Sequence, residues 1–188
     1  MKYLLLFEAF DTKSHLKDRG VDVNKTRTII DEDTGDTYFF LYNLSGQMVG
    51  YQKYNPEYPK IGQNKVLSPR HVKYYTWITH DKVGVWGLES TKFTDEYLFV
   101  VEGVFDAARI HECGYPAIAV LCNDPSESMT SWLNTLPQKI IVIHDNDVPG
   151  MKLKKVGDYT FSVKGAHDMN DLSIEEAGEF LKGCLDSI

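Results

Sequence analysis

Apolar and polar residues change rhythm partway along the chain. In the second half, short runs of β-branched and aromatic residues alternate with stretches of helical period, predicting strand 97–101, helix 104–113, strand 116–121, helix 127–135 and strand 139–143. Such alternation is the pattern of a parallel sheet whose strands are joined by helical crossovers. Gly114 marks the end of the first of these helices. Residues 151–156 then leave room for a helix of only one to two turns before a strand over 159–163. An amphipathic helix is expected over 173–185, with Ser173 as its cap and Glu176 three residues on, a capping box.

The first half has a different texture. Residues 1–20 read as helical, with Tyr3, Leu4, Phe7 and Phe10 on one apolar face and Gly20 as the stop. Residues 27–30, 37–43 and 47–54 read as strands, separated by the turn formers Asp33-Thr34-Gly35-Asp36 and Asn43-Leu44-Ser45-Gly46. This predicts an antiparallel meander, with Phe39, Leu41, Val49 and Tyr51 on its buried face. The polar stretch 55–68, rich in Pro and Gly, is expected to be a loop. The change of rhythm divides the chain into 1–93, a helix with a β subdomain, and 94–188, an α/β domain.

With 188 residues and 43% hydrophobic content, the chain can bury a core of its own. Its longest early apolar run, from Tyr3 to Phe7, is too short for a membrane span or a signal sequence, so a cytoplasmic protein is expected. Cys113, Cys122 and Cys184 are widely spaced, which speaks against a zinc ribbon and against a disulfide framework. The net charge of −7 excludes a protein that coats nucleic acid nonspecifically. Residues 44–93 nevertheless carry seven cations (Lys53, Lys60, Lys65, Arg70, Lys73, Lys82, Lys92) against three acids. This is either a solvated basic face or a surface for phosphates.

Two of the predicted strands end abruptly in carboxylates: Leu98-Phe99-Val100-Val101 runs into Glu102-Gly103, and Ile140-Ile141-Val142-Ile143 into His144-Asp145-Asn146-Asp147. In open α/β sheets the carboxyl ends of the strands form the ligand crevice, so Glu102, Asp145 and Asp147 are expected to converge there. An all-oxygen donor set suits Mg²⁺ or Mn²⁺. Asp106, one turn into the following helix, would assist through a water. Carboxylates also stand at helix starts for purely electrostatic reasons, but three close together repel one another unless a cation is present.

The ordered set of Glu102-Gly103, Asp106, Asp145-Asn146-Asp147, Gly150 and His167-Asp168-Met169-Asn170 resembles the Toprim domain of primases, topoisomerases and some nucleases. The last piece resembles the Lys-Asp-x-Asn of primases. The spacings are 43 residues from Glu102 to Asp145 and 23 from Asp145 to Asp168. Leu41-Tyr42-Asn43-Leu44-Ser45-Gly46-Gln47-Met48-Val49-Gly50-Tyr51-Gln52 resembles the strand pair upstream of Toprim in primases of the primase-helicase type. Lys73-Tyr74-Tyr75-Thr76 and Trp86-Gly87-Leu88 resemble the lead-in to it. The chain departs from that pattern at Asn123–Ser128, where a glycine-rich loop is usual, and in the short helix after Gly150. Ser126 there serves equally as a site residue or a helix cap.

The resemblance implies a Toprim-like, mostly parallel sheet with flanking helices, preceded by a small amino-terminal helix and an antiparallel β subdomain. It implies a DNA primase that makes short RNA primers on single-stranded DNA from ribonucleoside triphosphates with Mg²⁺ or Mn²⁺. Glu102, Asp145 and Asp147 would be catalytic, and Asp106 and Asp168 would complete the metal site. Lys73, Arg70, Lys152 and Lys155 would receive nucleotide or template. A helicase and a zinc-binding module would act in trans, as in a phage or mobile-element system. The alternatives are a Toprim nuclease using the same acids and a non-catalytic nucleic-acid-binding or regulatory protein.

Overall fold

Strand β5 (Tyr97–Val101) and strand β7 (Lys139–His144) are the most apolar stretches of the chain and lie side by side at its centre. Residues 10–60, 68–79, 83–92, 94–146, 150–163, 165–166 and 168–188 are described by the structure, a computed structural model. With β6 (Ala117–Ala119) and β8 (Tyr159–Ser162) the two central strands form a four-stranded parallel sheet in the order β6-β5-β7-β8. Side chains alternate across it. Phe99, Val101, Ile141 and Ile143 pack on α2 (Val104–Glu112) and α4 (Ile174–Asp186), while Leu98, Val100, Ile140 and Val142 pack on α3 (Glu127–Leu133) and the 3-10 helix Gly150–Val156. Both faces are thus covered, as a parallel sheet requires. The capping box at Ser173 and Glu176 is formed.

A second sheet stands before it. Strands β1 (Thr28–Ile30), β2 (Thr37–Tyr42), β3 (Met48–Tyr54) and β4 (Tyr74–Ile78) pair antiparallel in chain order. Phe39, Leu41 and Tyr54 from this sheet enter the same core as Phe99 and Phe105, the Phe105 ring lying 5.8 Å from Phe39 and 5.0 Å from Tyr54. The expected common face of Val49 and Tyr51 is not what forms. A bulge where Leu41 and Tyr42 pair with β3 shifts the alternation by one residue, so Val49 turns inward and Tyr51 outward, beside Tyr38 and Trp77. Gly84 is fixed by this arrangement, since a Cβ there would meet Val49 Cγ2 at 2.5 Å.

Helix α1 (Thr12–Asp18) is shorter than expected, capped by Asp11 and ended by Gly20 at φ +81°, with Gly20 N–H and Val21 N–H donating back to Lys17 and Leu16. Tyr3, Leu4 and Phe7 lie outside the described residues. Phe10 is not on a buried face but 42% exposed, its ring against His15.

Two residues stitch the sheets together. Val85 bridges to Tyr42 of the first sheet and Trp86 to Ala119 of the second, each through paired backbone hydrogen bonds. Trp86 is 1% exposed, stacked on His111, and its indole N–H has no hydrogen-bond partner among the described residues. Trp86→Ala is therefore expected to destabilise the fold by about 3–5 kcal/mol. Trp86→Phe, which keeps most of the volume and removes the unpartnered donor, is expected to lose far less. Chemical denaturation distinguishes the two; equal losses would contradict this account.

Candidate active site

The parallel register determines where the acids stand. Val100 pairs with Val142, so Glu102, just beyond β5, is level with His144, and Asp145 follows at once. His144 Nδ1 lies 2.8 Å from the Asp145 carbonyl, which only accepts, so this nitrogen carries the ring proton. Asn146 donates to the Val163 carbonyl and so anchors this loop to the end of β8. Asp106 sits in the first turn of α2, and Asp168 caps the 3-10 helix Met169–Asp171 by accepting from Asp171 N–H at 3.1 Å.

Glu102, Asp106 and Asp168 line one cleft of about 430 Å³ between the two sheets. Burial, then the charges of Asp168 and Asp145, push the Asp106 carboxyl up to about 8, against the opposing pull of the Asn170 amide and Arg19. The carboxylate lies against Gly103, where a Cβ would meet it at 2.7 Å. Leu121, also in the cleft, has φ +59° and donates its N–H to the Glu102 carbonyl at 2.9 Å, so a left-handed, strained backbone holds the strand end open. Asp147 lies outside the described residues, and among the described residues no three His, Cys, Asp or Glu side chains are gathered tightly enough to form a metal cluster.

The same cleft also holds basic and amide groups. Arg19 follows α1, its guanidinium carbon 3.6 Å from the Phe105 ring centroid and its Nε donating to Asn170 Oδ1 at 2.8 Å. Asn170 returns a hydrogen bond to the Arg19 carbonyl and donates its backbone N–H to Asp106 Oδ1 at 3.3 Å, tying Arg19 to Asp106. Lys60, Tyr74 and the hydrogen-bonded pair Gln52 and Thr76 complete the lining. Lys73 stands behind Arg19 and Lys60; burial first, then those two charges, hold its ammonium below the usual lysine range.

The remaining predicted cations are elsewhere. Arg70 lies on the far face of the antiparallel sheet, in a separate hollow with Tyr38, Tyr51 and Tyr75. Lys152 and Lys155 close on Asp124 at 3.2 and 2.6 Å and keep its carboxyl below the ordinary range. Cys122 lies between this pair and the acids, its thiol raised by burial and by Glu102 and eased by Lys155.

Solved structures share this architecture. An Aquifex aeolicus primase comprising zinc-binding and RNA polymerase domains superposes with a TM-score of 0.69 and 15% identity, over 97% of this chain and 57% of that one. The chain has the fold of a primase catalytic core. A DnaG primase catalytic domain bound to single-stranded DNA gives a TM-score of 0.59 at 17% identity, over 96% of this chain and 60% of that one. The primase fragment of the bacteriophage T7 primase-helicase gives 0.62 at 12%, over 92% and 70%. The chain thus spans less than two thirds of the first two. No family model and no curated protein sequence matches it.

Within this primase fold, Arg19 and Lys60 are the charged lining residues that site motifs did not mark. Arg19 carries no signal beyond its place before a helix-stop glycine. Asn170 had one, as the asparagine of the Asp-x-Asn piece, but its part in joining Arg19 to Asp106 is visible only in three dimensions.

The raised Asp106 fixes a sign of pH dependence. An unfolded aspartate titrates near 3.9, so between about pH 4 and pH 8 the folded protein keeps a proton that the unfolded chain releases. Stability from this group is complete in acid and is lost as pH rises through about 8. Metal-free protein is expected to melt lower at pH 8 than at pH 6, and Asp106→Asn to flatten that slope. An unchanged slope in the variant would contradict the assignment.

Proposed function

We propose that the chain is a nucleotidyltransferase of primase type, extending RNA on a single-stranded DNA template. The observation that carries this is the two-signed cleft: carboxylates of Glu102, Asp106 and Asp168 share one lining with Arg19 and Lys60, with Lys73 close by. A triphosphate needs both signs. Its phosphates pair with the cations, and the acids have the all-oxygen chemistry of a divalent-cation site. The proton that burial, and then the charges of Asp168 and Asp145, keep on Asp106 fits that view, because a cation would relieve the repulsion. Glu102, Asp106, Asp145, Asp147 and Asp168 would hold Mg²⁺ or Mn²⁺. Once bound, the metal would polarise the α-phosphate, lower the hydroxyl pKa and offset charge on the leaving pyrophosphate.

In the reaction a 3′-hydroxyl oxygen bonds to the α-phosphorus, the α–β phosphoanhydride bond breaks and pyrophosphate leaves. Arg19, Lys60 and Lys73 hold the triphosphate, and Glu102 is placed at the strand end to ligate metal or to take the hydroxyl proton. A nuclease would use the same acids, and synthesis is favoured because the solved structures of similar fold reported above are primases. The primases of similar fold include one bound to single-stranded DNA and one from a primase-helicase. A template strand, a helicase and a zinc-binding module are the corresponding partners proposed for this chain.

Calorimetric titration with a ribonucleoside triphosphate tests the cleft directly. Mg²⁺-dependent binding is expected, weakened about tenfold or more by Arg19→Ala. Affinity that is independent of metal and of Arg19 would overturn the proposal.

A further inference from the structure

The antiparallel sheet has a second face that the cleft does not use. The bulge that turns Tyr51 outward places it 5.6 Å from Tyr38, 6.5 Å from Tyr75 and 5.8 Å from Trp77, ring centroid to centroid. The four rings form a continuous aromatic ladder across β2, β3 and β4, and Trp77 is 47% exposed at its outer end. Cations flank it. Arg27 is exposed, with its guanidinium 4.1 Å from the Tyr42 ring centroid, and Arg70 is exposed beside the hollow that Tyr38, Tyr51 and Tyr75 line. Of the acids there, Asp36 is buried and paired with Lys53 at 3.3 Å, and Asp31 accepts from the Asp33 amide at one end.

Aromatic rings bracketed by arginines are what unpaired bases and their phosphates require, since any base offers a π-face and the backbone supplies the anions. Ile29, opposite Tyr38, and Met48, opposite Tyr42, are exposed on the same face, so the rings lie in an apolar surround, and the arginines beside them select an anionic strand over an apolar protein partner. The position is also continuous with the cleft: β4 is the edge strand, and it turns Tyr74 and Thr76 into the cleft while Tyr75 and Trp77 face out.

We propose that the outer face of the antiparallel sheet is a stacking platform for single-stranded nucleic acid that passes over the β4 edge. Only the path between the two sites rests on the proposed priming function. Binding to the platform itself needs neither metal nor triphosphate.

The test is titration of the full chain with a dye-labelled oligo-dT about 12 nucleotides long, without metal, read by the anisotropy of the oligonucleotide and by tryptophan fluorescence. Trp77 is the exposed reporter, whereas Trp86 is buried and Trp132 is half-buried against the parallel sheet. Quenching is expected, with affinity lost roughly tenfold or more in Trp77→Ala and in Tyr51→Ala. Trp77→Phe is expected to retain affinity while losing the signal, which separates stacking from misfolding. Arg70→Ala is expected to lower the slope of log affinity against log salt by about 0.7. Unchanged affinity in a Tyr51→Ala, Trp77→Ala protein would place the strand elsewhere and overturn the proposal. So would absence of oligonucleotide binding together with self-association that this double variant abolishes, which would assign the face to a second copy of the chain.

Discussion

Asp145→Ala is expected to lower primer synthesis by about a thousandfold while leaving the melting temperature unchanged or raised. The two halves of this prediction have one origin. Asp145 follows the last residue of β7, level with the end of β5 that presents Glu102, and its charge helps to hold the proton on Asp106. Removing it deletes a carboxylate proposed to hold the divalent cation. It also relieves repulsion among acids that otherwise destabilise the metal-free protein. Incorporation of labelled ribonucleotide and thermal melting, measured on one preparation, check both halves. A variant with wild-type incorporation would remove Asp145 from the chemistry, and one that melts far lower would make it a structural residue.

The second large effect is on stability. Asp36→Ala is expected to destabilise the fold by about 3 kcal/mol or more, because it leaves the Lys53 ammonium buried without its counter-charge. Lys53 is 4% exposed; its Nζ lies 3.3 Å from Asp36 and donates to the Arg70 carbonyl at 2.7 Å. Asn55 donates to Asp36 Oδ1 at 2.8 Å and to the Thr34 carbonyl, so the pair also fastens the β1–β2 turn to the end of β3. For a chain of this size the expected fall in melting temperature is roughly 6–12 °C. Replacing both partners, Asp36→Leu with Lys53→Met, is expected to recover most of it, since no charge is then stranded. A double variant as unstable as the single one would contradict this.

Lys53 also shows where sequence reasoning reached its limit. It counts toward the basic excess of residues 44–93, yet its charge is spent inside the fold, and Arg70 faces away from the cleft. Spacing reports that cations are near one another in the chain; it does not report which face of a sheet they take. The same limit explains Val49 and Tyr51, whose sides depend on a bulge that no turn residue announces. The parallel half was legible because β5, β6 and β7 are apolar on both faces and each ends at a carboxylate or a turn. Strand β5 occupies 97–101 as expected, and β7 ends one residue beyond its expected limit, at His144. Of the acids of the cleft, Glu102 was legible for the same reason, being tied to a strand end, whereas Asp106 and Asp168 were marked only by the motif resemblance. Arg19 was not, because it reaches the site only when α1 folds across Phe105 and Asn170.

The central claim is that this cleft joins nucleotides on a template. Its most direct measurement is incubation of the purified chain with single-stranded DNA and labelled ribonucleotides in Mg²⁺ or Mn²⁺, beside an Asp145→Ala, Asp147→Ala protein, with the products resolved by length. Short, metal-dependent oligoribonucleotides, lost in the double variant, are the predicted result. Cleavage of the DNA without any synthesis, or neither activity even with a helicase supplied, would contradict the claim.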